Sequence, residues 1–182
     1  GGSRPDGQVA VQEKHLPDRK VDRANSLAVG LKAGSYFGAY AGANAFGDVG
    51  LGLSARYRPT ESFGLEVAAQ RHPDEERVHS TASASAELFA FPWSRVSPYV
   101  LAGATYTDRS VNDTIWLDGA VQTLTASNPL YGPHAGAGIE VAIGKRLAVD
   151  LEARYIHYVN PVAGDPTLPG ALTTSAGAVW HF

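Results

Sequence analysis

A period of two runs through this chain from Ser26 to Phe182. Segments of about ten residues alternate aliphatic side chains with Gly, Ser and charged groups, and turn residues separate one segment from the next. Successive side chains of a strand point to opposite faces, so each segment reads as a strand with one apolar face and one small or polar face. Near Ser26–Phe37, Leu27, Val29, Leu31 and Ala33 alternate with Ala28, Gly30, Lys32 and Gly34. Near Val49–Arg58, Leu51, Leu53 and Ala55 stand against Gly52, Ser54, Arg56 and Arg58, and from Phe63 onward Leu65, Val67 and Ala69 stand against Gly64, Glu66 and Gln70. Near His79–Phe91, Ala82, Ala84, Ala86 and Leu88 face away from Ser83, Ser85 and Glu87. Three later segments, near Tyr131–Ile143, Leu147–Tyr158 and Leu172–Phe182, place Glu140, then Asp150, Glu152 and Arg154, then Ser175, Gly177 and His181 opposite their aliphatic residues. The segment near Pro98–Thr107 leaves its facing open, because Val100, Ala102, Ala104 and Tyr106 compete with Tyr99 and Leu101 for the apolar side.

Eight such segments predict an all-β fold, an eight-stranded antiparallel up-and-down transmembrane β-barrel over 26–182. No stretch reaches the roughly 18–20 continuous apolar residues of a spanning helix, so a membrane protein with this sequence must cross with strands. An even number of antiparallel strands closes the sheet and leaves no edge unpaired in lipid, where each orphaned backbone group costs several kcal/mol. The connections alternate in length: long at 38–48, short at 59–62, medium at 71–78, short at 92–97, long at 108–130, short at 144–146, long at 159–171. Tight periplasmic turns and longer extracellular loops have this asymmetry, which would put both termini in the periplasm. Residues 1–25 are rich in charge and poor in apolar groups, and are expected to form a flexible periplasmic arm. The absence of Met suits a processed chain that has lost a signal peptide, and equally a chain trimmed for expression.

Whether the apolar face looks outward into lipid or inward, as in a soluble carrier, is not fixed by periodicity. The composition of the faces favours lipid outside, since Gly, Ser and mixed charges fill a narrow lumen well. Aromatics are expected in two belts at the headgroup levels. Tyr57, Phe63, Phe89, Phe91, Trp93, Tyr99, Trp180 and Phe182 lie near the short-turn end. Tyr36, Phe37, Tyr106, Tyr131, Tyr155 and Tyr158 lie near the other.

The last eight residues, Ser175-Ala176-Gly177-Ala178-Val179-Trp180-His181-Phe182, resemble the C-terminal signal of bacterial outer-membrane barrels. The resemblance implies a Gram-negative outer membrane and recognition of Gly177, Trp180 and Phe182 by the barrel-assembly machinery. Over Ser26–Phe182 the chain is similar to the small OmpA-type and OmpX-type barrels, as in Ser97-Pro98-Tyr99-Val100-Leu101-Ala102-Gly103-Ala104 and Gly136-Ala137-Gly138-Ile139-Glu140. Arg154-Tyr155-Ile156-His157-Tyr158-Val159-Asn160 resembles the His-x-Ser-Asn motif of PagL-type lipid A deacylases, which makes His157 a candidate lipid-site residue. Val159 stands where that family has its Ser nucleophile, and Leu172–Phe182 holds no acid to orient the His.

Lys32, Arg56, Glu66, Glu87, Glu140, Asp150, Glu152 and Arg154 are all expected to project into the lumen, where buried charges must pair. They are read as an ion-pair plug, with a narrow gated pore in which Lys32 and Arg56 exchange partners as the alternative. Between Arg71 and His79, two His and three carboxylates could collect a cation, but a solvated charged loop is the expected state. The glycines of 38–47 match no phosphate loop. Segment 108–130, with Val111, Ile115, Trp116, Leu117 and Val121, could form an extended hairpin that docks a partner or packs on its neighbours. A net charge of -3 with interspersed signs leaves no face for nucleic acid. The absence of Cys removes disulfides and thiol chemistry. No cofactor, metal or complete catalytic site is expected. The function anticipated is structural or binding: a barrel in outer-membrane lipid whose loops, 108–130 and 159–171, contact lipopolysaccharide or a protein partner. A lipid A deacylase-like enzyme is the remaining alternative.

Overall fold

The computed structural model describes residues 23–38, 48–73, 77–117, 120–160 and 170–182. Eight strands follow in chain order: β1 Ser26–Gly38, β2 Asp48–Arg58, β3 Phe63–Pro73, β4 Arg77–Phe89, β5 Val96–Leu117, β6 Ala120–Ala142, β7 Leu147–His157 and β8 Gly170–His181. Each is antiparallel to the next, and β1 pairs with both β2 and β8, from Ala28↔His181 to Gly38↔Ala171, so the sheet closes into a barrel. Closure gives every strand two partners, which satisfies the backbone without water.

Leu31, Leu51 and Leu53 on the outer wall are 60–67% exposed, whereas Arg56 and Glu87 are at most 2% exposed. Aliphatics on the outside and charges on the axis are the arrangement of a barrel in lipid and the reverse of a soluble carrier. The facing of β5 is now fixed: Val100, Ala102, Ala104 and Tyr106 look outward, and Tyr99 and Leu101 look in.

Three tight turns, at 59–62, 90–95 and 143–146, lie at one end together with Arg23 and Phe182. In the second turn Phe91 has φ 55°, a left-handed conformation that is costly for an aromatic residue, yet it places the ring outward against Trp93.

Two expectations for the connections need correction. Segment 108–130, counted as a long connection, is ladder and forms the extended hairpin that its sequence allowed, because β5 and β6 stay in register from Val96↔Val141 through Asp108↔Pro129 to Leu117↔Ala120. The expected loop 71–78 is also largely strand, and His72 pairs directly with His79. Of the remaining long connections, 39–47 and 161–169 lie outside the described residues, as do 1–22 of the expected arm.

Candidate functional site

At several positions the inward face sets a large side chain opposite a glycine. Across the ladder Lys32 is flanked by Gly52 and Gly177, Glu87 by Gly64, Arg154 by Gly136, and both Tyr99 and Glu152 by Gly138. A Cβ at Gly138 would overlap the Tyr99 ring, so glycine there is what lets the ring lie across the axis. The apparent blandness of the polar face in the sequence is therefore space reserved for long charged side chains.

All eight expected lumen residues point to the axis and meet. Arg56, on β2, is the hub: Nη1 donates to Glu140 Oε2 at 2.8 Å, and Nη2 to Asp150 at 2.8 Å, Glu87 at 2.9 Å and Glu66 at 3.1 Å. Lys32 Nζ reaches Glu66 at 2.8 Å and Glu152 at 3.4 Å. Arg154 donates to Glu152 at 2.6 Å, to Glu66 at 3.3 Å and to Ser83 at 2.7 Å. The Tyr99 hydroxyl donates to Asp150 at 2.8 Å, and the Phe89 and Tyr99 rings lie 5.5 and 5.3 Å from the Arg56 guanidinium carbon. Glu66, Glu87 and Glu152 bring carboxylate oxygens within 4.8 Å of one another, a spacing that could suit a metal ion. Lys32, Arg56 and Arg154 already supply the positive charge at that point.

Two members escaped sequence reasoning. Arg58 lies over the Phe89 ring at 3.8 Å and donates to Glu140 at 3.2 Å. Arg23, placed by the sequence in the flexible arm, is only 5% exposed and pairs with Glu140. Asn25, in the left-handed region that Asn tolerates, turns the chain ahead of β1, and Ser26 Oγ donates to the Arg23 carbonyl at 2.6 Å. The signal for Arg58 was its place on the polar face of β2. Arg23 lies before the periodic region and gave none.

Toward the other end the lumen changes character. His134 bridges Ser85 at 2.9 Å and Thr105 at 2.7 Å, and a cavity of about 20 Å³ lined by Gln70, Ser83, Thr105 and Arg154 has room for about one water molecule. Beyond it the hydroxyls of Tyr36, Tyr158 and Thr107 bond in series at 2.8 and 2.9 Å, packed with Leu130, Ile156 and Ala171. Four residues assigned to the aromatic belts, Tyr36, Phe89, Tyr99 and Tyr158, are thus inside the barrel, because their parity in the strand matches the charged residues. Tyr57, Phe91, Trp93, Tyr106, Tyr131, Tyr155, Trp180 and Phe182 do face outward. His72 and His79 are fully buried beside Tyr36 rather than solvated.

His157 and Val159 lie exposed at the end of β7, and β8 contains no carboxylate, so among the described residues no nucleophile and base converge there. Gly177 passes the Lys32 stem, while Trp180 and Phe182 project outward at the short-turn end, where the Phe182 N–H donates to the Leu27 carbonyl at 2.8 Å.

Several solved barrel structures share this fold. The N-terminal β-barrel domain of Pseudomonas aeruginosa OprF superposes with a TM-score of 0.64 at 16% identity, over 87% of this chain and 98% of that one. Neisserial surface protein A gives 0.58 at 20% identity, over 86% and 96%. Ail, the attachment invasion locus protein of Yersinia pestis, gives 0.58 at 18%, over 86% and 97%. No curated protein sequence matches. The family model for the outer membrane protein beta-barrel domain matches residues 18–182. With a closed barrel of eight strands, an aliphatic outer wall and this match over nearly its whole length, the chain belongs to the outer membrane protein β-barrel family and resides in the outer membrane.

Proposed function

We propose that this chain is a structural and binding barrel whose lumen does not conduct, with both termini in the periplasm and the opposite end presented to lipopolysaccharide or a protein partner. The observation that carries this reading is the packing of the axis. Arg23, Lys32, Arg56, Arg58 and Arg154 interlock with Glu66, Glu87, Glu140, Asp150 and Glu152, and the Tyr36–Tyr158 layer follows above. An eight-stranded barrel is just wide enough for side chains to fill it. The long β5–β6 hairpin and the 159–171 connection supply the contact surface at the far end. No enzymatic activity is proposed, since Val159 replaces the nucleophile that His157 would need.

Purified barrel in planar bilayers is expected to give no conductance steps above background. Regular steps would instead favour a gated pore, for which the specific support is that Lys32, Arg56 and Arg154 all share Glu66 and could exchange partners there.

Gly177, Trp180 and Phe182 are assigned to recognition by the barrel-assembly machinery. Phe182→Ala should lose most of the assembled barrel in Gram-negative cells while the refolded protein keeps its urea midpoint, because the Phe182 ring is 70% exposed and only its backbone is bonded. Normal assembly of the variant would remove that assignment.

A further inference from the structure

We propose that the short-turn rim binds an anionic phospholipid of the phosphatidylglycerol type, with Arg95, Lys145 and Arg146 on its phosphate and the adjoining outer wall under an acyl chain. This rests on the reading above that the short-turn end is periplasmic, where the leaflet is phospholipid. Arg95 closes the 90–95 turn, and Lys145 and Arg146 end the 143–146 turn. The two turns flank the β5–β6 pair, and backbone bonds hold this rim together. The Ala142 N–H donates to the Arg95 carbonyl at 2.7 Å, and the His181 N–H to the Arg146 carbonyl at 2.7 Å. All three cationic side chains are exposed, and among the described residues none of them has an ion pair. Neither turn contains Asp or Glu. Glu61, an acid on this rim, belongs to the 59–62 turn, on the far side of 90–95 from Lys145 and Arg146.

The second observation is the wall beside these cations. Phe91 and Trp93 stand edge to face on the 90–95 turn with centroids 6.2 Å apart, and Ile143 and Trp180 are exposed next to the other turn. Aromatic rings at this level seat in the headgroup region and fix the depth of the rim. From Ala90 a groove of about 1080 Å³ runs along the outer wall, past Leu88, Pro98, Val100, Ile139 and Leu151. An acyl chain lying there brings its headgroup to the three cations, where a guanidinium fork takes phosphate oxygens in pairs. A zwitterionic lipid carries its own ammonium beside the phosphate, which opposes the cations. The rim therefore selects the lipid with net negative charge.

The test uses the full chain carrying Trp116→Phe, so that the two remaining tryptophans, Trp93 and Trp180, both lie at this rim. In phosphatidylcholine vesicles it is titrated with brominated phosphatidylglycerol or brominated phosphatidylcholine, and the quenching of tryptophan fluorescence is compared. Phosphatidylglycerol should associate about five-fold more strongly, the ratio that one well-placed cation supplies. That preference should fall in about 0.5 M salt, which screens exposed charges. It should vanish in the triple variant Arg95→Gln, Lys145→Gln, Arg146→Gln, whose backbone carbonyls keep their bonds. Equal quenching by the two lipids, or a preference that survives the triple variant, would overturn the proposal. Both leaflets of these vesicles hold the same lipid, so this result does not depend on which end is periplasmic. Gly144→Cys, where an added Cβ meets open space in a chain without Cys, reads the orientation separately. Its thiol should resist an impermeant maleimide on intact cells and react once the outer membrane is permeabilised. Labelling on intact cells would remove the inner-leaflet lipid as the source, and the periplasmic reading with it.

Discussion

Arg56→Met is expected to cost about 3–5 kcal/mol of folding stability, read as a fall in the urea midpoint of the detergent-folded barrel and loss of its compact, heat-modifiable form on gels. The substitution keeps a long apolar stem but removes the cation that Glu66, Glu87, Glu140 and Asp150 share. Lys32, Arg58 and Arg154 reach only Glu66, Glu140 and Glu152, so Glu87 and Asp150 lose the cation they share, and Asp150 keeps the Tyr99 hydroxyl as a donor. Adding Glu87→Gln to Arg56→Met should therefore recover part of the loss. Arg56→Lys should restore little, because a single ammonium does not reproduce a planar fork that serves four acceptors. A midpoint unchanged by Arg56→Met would mean that the network contributes no stability.

Ala84→Arg is the second large effect, and it tests which face meets lipid. Ala84 lies midway along β4, between Val67 and Ala104, and is exposed on the outer wall. An arginine at mid-membrane depth on this face should destabilise the barrel by about 2–4 kcal/mol in phospholipid vesicles. Leu27→Arg, one rung from the short-turn rim, should cost about 0–1 kcal/mol, since its guanidinium can reach the headgroups. Equal costs at the two depths would refute the lipid-facing assignment of the aliphatic wall.

Most of the fold was legible because both its signals are local. Alternation in β1, β2 and β7 needs only neighbouring residues, and Pro59-Thr60-Glu61-Ser62 or Gly144-Lys145-Arg146 announces a turn within a few positions. The charged cluster was legible too, because parity along each strand fixes the face of Lys32, Arg56 or Glu140. The same parity holds for Tyr36, Phe89, Tyr99 and Tyr158, and it places them inside against their belt chemistry. These rings are amphipathic and suit a headgroup or a lumen equally well, so their type says little and their register decides. Strand ends were harder. His72 and His79 sit in a stretch whose charge reads as solvated loop, and only the continued β3–β4 ladder draws them inward. Arg23 depends on the Asn25 turn folding the chain back under the barrel, a non-local consequence that no spacing in the sequence carries. The β5–β6 extension was legible as a hairpin within the long connection, and its unbroken register bears that out.

Among the described residues, the equality of five cations and five carboxylates in the central network has an electrical consequence. With all ten groups ionised they sum to zero, so a voltage across the membrane does no net work on the cluster as a unit. A single unbalanced charge carried across would feel about 2.3 kcal/mol per 100 mV. The network is thus built to stay put when the potential changes, and only a rearrangement that separates one partner from another would give it a gating charge.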